Sequence, residues 1–488
     1  MIYNSFNFLI LFPLIFWGYY VIPAKYQRLR NMFLLVVSYL LYINFTPVYA
    51  LVLLGVTIAT YLGGAALDGR WKKDDVRTKK EDDRCASSVV KRRLVWVFGI
   101  LGLLPLLFFK YFDFINEGVY DVLSIAGLRY ELQGLNWAIP VGISFYTFQA
   151  LGYLFDVYYR RISAENDFLT YALFISFFPS IVAGPINKAS LIIPQLKALR
   201  PYFDYAKAVE GLKLLLWGMF MKVVVADRFG LYVDTILPNY THYTGFTCLV
   251  ASIFYTIQIY ADFAGYSLMA IGVGKTLGFD LTENFRRPYF AVSVTDFWRR
   301  WHISLSTWLK DYVYIPLGGS RCSKIRNYWN IFVTFLVSGI WHGANWTFVI
   351  WGMMHGVFQV IEKAMGQQKC KYGWFGKTIK IFITFILVNF AWIFFRMPTL
   401  SEAWGVFTRI LNGIQSFSLY IDVNTFLYAA FGFIILFIKD FKDEYYAGRI
   451  LLLHNKNMYI RWVSYLGLTA LILLSGVFGA DQFIYANF

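Results

Sequence analysis

Three histidines lie in or beside apolar segments of the sequence: His302, His342 and His355. An ionisable side chain is costly in such surroundings and usually faces the protein interior or a water-filled cavity. A neutral imidazole can take a proton from a hydroxyl group near neutral pH, so each of the three is a candidate general base. The other two histidines, His242 and His454, lie in loop-like sequence and are interpreted as surface residues.

His342 is the strongest candidate because polar residues flank it at helical spacing. Ser338 precedes it by four residues and Asn345 follows it by three, within "SGIWHGANW". On a continuous helix, the hydroxyl and the amide would share the face of the imidazole. They could fix its tautomer and leave the other ring nitrogen as a base. His355 would lie on nearly the opposite face of such a helix, and packing is the simpler role for it.

His302 lies in a stretch rich in tryptophan and arginine. Bulky residues recur there at helical offsets and predict one stripe of a continuous helix: Trp298, Trp301, Leu305, Trp308 and Tyr312. Because Trp and Tyr favour the headgroup level, we expect this helix in the cytoplasmic interface of a membrane. Arg299, His302 and Ser306 would line up on a neighbouring face. From this stretch alone, a solvated polar face is as good an interpretation as a functional site.

Other catalytic and metal-binding patterns are weak in this sequence. It contains no HxxxH, HxH or CxxC spacing, so no metal centre is predicted, although ligands from distant positions stay an alternative. The four cysteines, Cys85, Cys248, Cys322 and Cys370, lack paired spacing and predict no disulfide framework. A GxSxG elbow is absent, and "GVGKTLG" lacks the first half of a phosphate-binding loop.

The elements that must position these residues are membrane helices. The 488 residues are 58% hydrophobic, 20% aromatic and only 15% charged, whereas soluble domains are roughly 25% charged. We predict an all-α polytopic membrane protein with about 11–13 hydrophobic helices, some of them short re-entrant or interfacial segments. The apolar run 329–361 is too long for one span, and we expect it to break near Gly343.

The net charge of +16 comes largely from loops between the apolar runs. Basic loops are orientation signals in membrane proteins, so they indicate cytoplasmic loops and contact with membrane lipid rather than binding of nucleic acid. We interpret 68–93 as a charged cytoplasmic loop and 285–326 as a cytoplasmic interfacial or re-entrant region. Residues 1–488 are expected to form a single polytopic domain.

Several long motifs occur in an order that resembles a known family. They are "YADFAGYS", "ENFRRPY", "FWRRWHISLSTWLKDYVYIPLGG" and "SGIWHGANWTFVIWGMMHG", with supporting runs at 139–160, 177–186, 214–228 and 390–404 and the terminal "FIYANF". Together they resemble the membrane-bound O-acyltransferase family, in particular the bacterial branch that contains the membrane subunit of alginate O-acetyltransferase. The resemblance implies a core with a central tunnel, His342 as the catalytic residue, and His302 as a second functional residue near the cytoplasmic mouth.

The resemblance also implies a reaction and its partners. An acetyl group would move from cytoplasmic acetyl-coenzyme A to hydroxyls of an extracytoplasmic polysaccharide, directly or through an SGNH-type partner transferase. The protein would be a multi-pass protein of the bacterial inner (cytoplasmic) membrane, with no bound cofactor. Arginine matches phosphate oxygens, so the coenzyme A phosphates could meet Arg286, Arg287, Arg299 and Arg300. Anchoring to anionic lipid is the alternative for each arginine.

An oxyanion formed in this reaction would need donors near His342. Asn345, or backbone N–H groups opened at Gly343, could stabilise it. Ser338 would then orient the imidazole.

Three other functions stay open. "FAGYSL" is similar to the D-alanyl-transferring branch that decorates teichoic acids from a carrier protein, whereas many alginate-type members are expected to have an acidic residue at the position of Leu268. A transporter or polysaccharide-export channel could also line its conduit with histidines and aromatic residues. A scaffold for a secretion complex is the third alternative.

Overall fold

A computed structural model describes residues 3, 5–44, 47–69, 81–128, 134, 137–199, 203–366, 373–413, 417–446 and 453–478. These residues form α-helices joined by short 3₁₀ and π-helical turns, and no strand occurs among them. The prediction of an all-α protein is confirmed. The terminal "FIYANF" and Cys370 lie outside the described residues.

The chain folds as two compact units, the first of which comprises Asn7–Ala208 and Gly274–Thr282. Its helices are α1 (Phe6–Val21), a 3₁₀ turn (Ala24–Tyr26), α2 (Gln27–Ile43), α3 (Pro47–Asp68), α4 (Glu81–Ile125), α5 (Ile143–Tyr158), α6 (Phe168–Ser176), α7 (Phe178–Ile181) and α8 (Ala189–Lys197). The charged segment 68–93 was predicted to be a loop, but α4 already begins at Glu81. Residues 70–80 of that segment are not among those described.

The second unit comprises Ile2–Phe6, Val209–Val273 and Glu283–Phe488, and it contains every candidate site residue. Its helices are α9 (Tyr205–Met219), a π turn (Phe220–Ala226), α10 (Asp227–Ile236), a 3₁₀ turn (Leu237–His242), α11 (Gly245–Thr276), a 3₁₀ turn (Pro288–Phe290), α12 (Val294–Arg300), α13 (Ile303–Leu309), a π turn (Lys310–Tyr314), α14 (Lys324–His342), α15 (Trp346–Ala364), α16 (Trp374–Arg396), α17 (Leu400–Asn412), α18 (Val423–Tyr445) and α19 (Met458–Ser475).

Among the residues that the structure describes, six helices are long and apolar enough to cross a membrane: α3, the Val89–Ile125 part of α4, α11, α16, α18 and α19. Helices α1 and α2 meet at 103° and together pass the same test, which gives a seventh span if the pair is one broken segment. Large apolar side chains such as Leu51 and Phe382 are exposed on these helices. An exposed apolar surface of this kind suits contact with lipid, and the protein is a multi-pass membrane protein.

A buried group of three ions fixes the position of α11, the helix whose Phe263 contacts His302. Lys222 Nζ, in the π turn after α9, lies 2.7 Å from Asp227 Oδ1 and 2.8 Å from Asp262 Oδ1 of α11. All three side chains are nearly inaccessible to solvent. Buried charges require such partners, because an unpaired ion in this environment is strongly destabilising. The group therefore holds α11 in place relative to the π turn.

Helices α14 and α15 form a closely packed hairpin. A Cβ atom added at Gly339 would lie 2.4 Å from the Phe348 carbonyl oxygen, and one added at Gly352 would lie 2.4 Å from the Phe335 carbonyl oxygen. Only glycine lets the two backbones approach this closely. The two glycines therefore set the spacing of the hairpin that carries His342.

Candidate functional site

His342 is the last residue of α14. The helix ends there because Gly343 has an extended backbone and α15 begins only at Trp346. A Cβ atom at Gly343 would lie 2.2 Å from the Phe348 ring, so a larger residue does not fit at this turn. The predicted break near Gly343 is confirmed, and it leaves the imidazole at the end of a helix within the hairpin.

Aromatic rings surround the imidazole of His342, which is 2% exposed. Its ring centroid lies 4.8 Å from that of Trp341, 4.9 Å from that of Trp351 and 5.3 Å from that of Phe395. The rings of Trp351 and Phe395 meet it nearly edge-to-face. The aromatic shell therefore keeps the imidazole almost entirely out of contact with solvent.

The structure separates the two polar residues that were predicted to share the face of His342. Ser338 lies one turn earlier on α14 and is fully buried, and its hydroxyl has no hydrogen-bond partner among the described residues. Asn345 caps α15 instead: its Oδ1 accepts from Thr347 N at 3.0 Å and its Nδ2 donates to Pro398 O at 2.6 Å. The prediction that Asn345 shares this face was wrong, because the helix ends before it.

His302 lies at a break between two short helices, so the predicted continuous helix over 298–312 was wrong. Helix α12 ends at Arg300, and α13 begins at Ile303. The predicted stripe does not face a membrane surface either, since Trp298, Trp301 and Trp308 are buried. Burial of the indoles in the core therefore outweighs the helical periodicity of this stretch. At the other end of α12, Ser293 caps the helix, and its hydroxyl accepts from Asp296 N at 3.0 Å.

The backbone of His302 is strained. Its φ of 44° and ψ of 54° lie in the left-handed region, which residues other than glycine seldom adopt. Such conformations cost about 1–3 kcal/mol and persist only where the surrounding structure enforces them, often at functional sites. This strain is independent support for a functional role of His302.

Polar and aromatic groups both contact the His302 ring, which is completely buried. Nδ1 lies 3.1 Å from Asn284 Oδ1, and the ring centroid lies 4.7 Å from that of Phe263 on α11. Burial lowers the pKa of His302 to about 3, so the imidazole is neutral near pH 7. Asn284 lies in the motif "ENFRRPY", but its contact with His302 was not predicted, since eighteen residues separate the two.

The two histidines are near each other because Trp341 contacts both. The Trp341 centroid lies 6.1 Å from that of His302 and 4.8 Å from that of His342. These two distances limit the separation of the imidazole centroids to at most about 11 Å. The two imidazoles therefore lie in one region of the second unit.

His355 lies inside the second unit among aromatic rings. It is fully buried on α15, its Nδ1 accepts a hydrogen bond from Trp298 Nε1 at 3.2 Å, and its ring lies 4.9 Å from that of Trp351. The contact with Trp298 satisfies Nδ1, whereas Nε2 has no hydrogen-bond partner among the described residues. Among the described residues, no three His, Cys, Asp or Glu side chains come together in a way that could hold a metal ion.

Three of the four arginines predicted to bind the donor pair with carboxylates. Arg286 pairs with Glu283. Glu444, at the end of α18, accepts from Arg287 at 3.0 Å and from Arg300 at 2.9 Å. Asp296 lies 3.1 Å from Arg300, and Arg299 is exposed at the end of α12. Sequence reasoning missed Glu444, since no local pattern connects it with arginines that precede it by more than 140 residues.

A cavity of about 150 Å³ adjoins the His302 region. Its lining includes Asn284 and Ser267, which form the polar contact behind His302, and also Arg286, Arg287 and Lys439. A second cavity of about 220 Å³ shares Leu268 and Lys439 with it and adds Lys213 and Lys442. Arg286 and Arg287 thus line a space that extends to Asn284, whereas neither cavity lining includes Arg299 or Arg300.

Comparison with known proteins places the site motifs in a family. Residues 156–400 match the family model described as MBOAT, membrane-bound O-acyltransferase family. The chain is 36% identical over 413 residues to the probable alginate O-acetylase AlgI of Pseudomonas aeruginosa, which covers 84% of this chain and 75% of that protein.

Two further relatives are named for other activities. The peptidoglycan O-acetyltransferase of Helicobacter pylori is 36% identical over 365 residues, with 69% of this chain and 68% of that protein covered. The teichoic acid D-alanyltransferase of Bacillus subtilis is 28% identical over 268 residues, with 52% of this chain and 68% of that protein covered. The names of the three relatives differ in the acyl group and in the acceptor, but all three are names of acyl-transferring enzymes.

Proposed function

The chain belongs to the membrane-bound O-acyltransferase family and is an acyltransferase, and from this premise we propose that it transfers acetyl groups from cytoplasmic acetyl-coenzyme A to hydroxyls of an extracytoplasmic polysaccharide. The family resemblance seen in the sequence is confirmed. The observation that carries the proposal is the position of His342, buried among aromatic rings at the end of α14.

His342 acts as the general base. One imidazole nitrogen takes the proton of the acceptor hydroxyl while the hydroxyl oxygen attacks the thioester carbonyl carbon. The C–S bond of the resulting tetrahedral intermediate breaks, and the imidazolium returns its proton to the leaving thiolate. Products are an acetyl ester and coenzyme A, and the histidine ends neutral. A buried, neutral ring is suited to this cycle, since it begins and ends each turnover without charge.

The donor occupies the two adjoining cavities beside Asn284. Arg286, Arg287 and Lys439 would meet its phosphates, and the thioester end would extend past Asn284 toward His302. Because Arg286 and Arg287 pair with carboxylates here, donor binding must exchange at least one carboxylate contact for a phosphate contact. Arg299 and Arg300 are better explained by helix-end contacts and lipid anchoring.

The names of the relatives support one chemical class of acceptor. The names of the alginate and peptidoglycan O-acetylating relatives support a polysaccharide acceptor. We propose that the acetyl group reaches it directly or through an SGNH-type partner transferase. We propose that the protein lies in the bacterial cytoplasmic membrane, with the donor cavities on the cytoplasmic side.

D-alanyl transfer is the second candidate, and one observation favours it. Leu268, where the sequence departs from the pattern expected of alginate-type members, lines both cavities proposed for the donor. A different residue in the donor space can select a different donor. Relatives with teichoic acid D-alanyltransferase names also match this chain.

The test uses inverted membrane vesicles from the source bacterium, with its own gene replaced by the wild type or by a variant. Vesicles receive either acetyl-coenzyme A labelled in the acetyl group or a carrier protein loaded with labelled D-alanine. We expect acetyl label in the polymer, and none with His342→Gln. D-alanyl label alone would support the second candidate. Undiminished acetylation in His342→Gln would refute the mechanism and favour a conduit or a scaffold.

A further inference from the structure

Two backbone hydrogen bonds with the segment 284–286 hold His302 in its strained conformation. The Arg286 backbone N–H donates to the Arg300 carbonyl oxygen at 2.8 Å, and the Ile303 N–H donates to the Asn284 carbonyl oxygen at 2.9 Å. These bonds flank His302 along the chain. Since a left-handed residue other than glycine must be enforced by its surroundings, the segment 284–286 supplies that restraint.

The orientation of the Asn284 amide is fixed by Ser304. The Ser304 backbone N–H lies 3.2 Å from Asn284 Oδ1, and the Ser304 hydroxyl lies 2.9 Å from the same atom. A backbone N–H can only donate, so the atom that faces it must be the amide oxygen rather than the nitrogen. The amide nitrogen then points toward Ser267 on α11 and donates to its Oγ at 3.0 Å. A flipped amide would place two donors face to face.

The same oxygen determines which nitrogen of His302 carries the proton. Asn284 Oδ1 lies 3.1 Å from His302 Nδ1 and can only accept, so Nδ1 must be the protonated nitrogen of the neutral ring. We infer that Asn284 is a positioning residue that holds His302 in the Nδ1–H tautomer, which leaves Nε2 to accept a hydrogen bond from a substrate group during acyl transfer. This inference deepens the proposed function and depends on it for the transfer step.

The tautomer matters because the ring cannot change roles by gaining a proton. Burial lowers the pKa of His302 to about 3, so the ring stays neutral and has one donor and one acceptor nitrogen. If Nε2 carried the hydrogen, it could not accept a hydrogen bond from the donor or the acceptor substrate. Removing Asn284 should therefore impair turnover more than binding.

The direct test is the protonation state of the His302 nitrogens in the full-length protein in lipid nanodiscs. The chain has five histidines, so selective ¹⁵N-histidine labelling gives few signals, and His302→Gln assigns those of His302. We expect a neutral ring with the hydrogen on Nδ1 in the wild type. A ring protonated on Nε2 would overturn the inference, and this result needs no acyl donor.

Kinetics of two Asn284 variants test the consequence. Asn284→Leu removes the acceptor, and we expect kcat for acetyl transfer to fall about 100-fold with KM changed less than about threefold. Asn284→Asp keeps an oxygen for His302 Nδ1 and for Ser304 N, so it should retain at least about ten times the activity of Asn284→Leu.

Asn389→Leu is the matched control. Asn389 is also buried in the second unit, where its Nδ2 donates to Ser252 O at 2.8 Å and to Thr256 Oγ1 at 2.7 Å. Its loss should lower stability comparably but leave the His302 tautomer unchanged. Equal losses of activity and thermal stability in both leucine variants, with the same tautomer as the wild type, would reduce Asn284 to a structural role.

Failure of the inference differs from failure of the proposed function. If the wild type transfers nothing from acetyl-coenzyme A, the proposed donor is wrong, and the nitrogen protonation measurement still decides the role of Asn284. If Asn284→Leu does not fold, the wild-type ring and the Asn284→Asp variant decide it: an Nε2–H ring in either protein contradicts the inference.

Discussion

The two histidines of the site are oriented by different physical means. His342 ends a regular helix, and three aromatic rings hold its imidazole. His302 interrupts a helix in a strained conformation, and hydrogen bonds to Asn284 hold it. The aromatic contacts of His342 position it by shape, whereas His302 combines contact with the Phe263 ring and positioning by hydrogen bonds.

This difference predicts which changes each region tolerates. Around His342, close packing makes added volume harmful, because the glycines of the hairpin leave no room for a Cβ atom. Around His302, the loss of one hydrogen-bonding group should matter more than its volume, because an unsatisfied buried partner is left behind. The comparison would fail if added volume near His342 were harmless, or if loss of a hydrogen-bonding group near His302 were harmless.

The largest effect is expected from the base itself. His342→Gln removes the proton acceptor but keeps a polar side chain of similar size, and we expect kcat for acetyl transfer to fall about 10³-fold, within the usual range for a general base. Labelled acetyl transfer in vesicles measures it. Stability should change little, as judged by thermal unfolding in detergent.

His355→Gln is the control for this variant. Its ring lies as far from Trp351 as that of His342 does, 4.9 Å in both cases, and a glutamine oxygen can accept from Trp298 Nε1 in its place. Activity should remain within about threefold of the wild type, since a packing residue contributes no reacting group. Comparable inactivation of both variants would mean that the aromatic cluster as a whole, rather than one base, is being disrupted.

Added volume in the hairpin tests positioning by shape. Gly339→Ala introduces a Cβ atom 2.4 Å from the Phe348 carbonyl oxygen, so α14 and α15 must move apart. We expect about 1–3 kcal/mol of destabilisation and about tenfold lower activity, because His342 moves with α14. Thermal unfolding and the transfer assay measure the two effects.

Gly467→Ala in α19 is the matched control for the hairpin variant. No atom lies within 4 Å of an added Cβ there, and alanine should stabilise a helix interior by up to about 1 kcal/mol. If Gly339→Ala were as active and as stable as Gly467→Ala, close packing would not be what positions His342.

The sequence was informative about His342 and much less so about His302. A glycine after a histidine at the end of an apolar run predicts a helix break, and α14 does end at His342. For His302, the periodicity of Trp298, Trp301 and Trp308 favoured a continuous helix, but burial of the indoles and the Asn284 contacts impose a break. Contacts between residues far apart in sequence decided that region, and helical spacing contains no information about them.

Loss of one donor tests positioning by hydrogen bonds. Ser304→Ala removes the hydroxyl that lies 2.9 Å from Asn284 Oδ1 and leaves the backbone N–H in place. With one of three contacts to that oxygen gone, we expect kcat to fall about fivefold and stability to fall by about 1 kcal/mol. Steady-state transfer assays and thermal unfolding measure the two changes.

Ser252→Ala provides the comparison for this variant. The Ser252 hydroxyl is also buried and lies 3.3 Å from an asparagine oxygen, that of Asn389. A similar loss of stability is expected, with unchanged kcat. If both alanine variants left kcat unchanged, the hydrogen bonds around Asn284 would not be what positions His302.

The smallest effects are expected from the charged groups that line the donor cavity. Arg286 and Glu283 pair on the surface, so a donor phosphate must compete with Glu283 for the guanidinium. Arg286→Gln should raise KM for acetyl-coenzyme A about threefold, and Glu283→Gln should lower it about twofold, with kcat unchanged in both. Opposite shifts in KM would connect the His302 region with the donor, while the His342 variants change kcat. Unchanged KM in both variants would instead favour lipid anchoring for Arg286, because a contact with a lipid headgroup does not contribute to the binding of the donor.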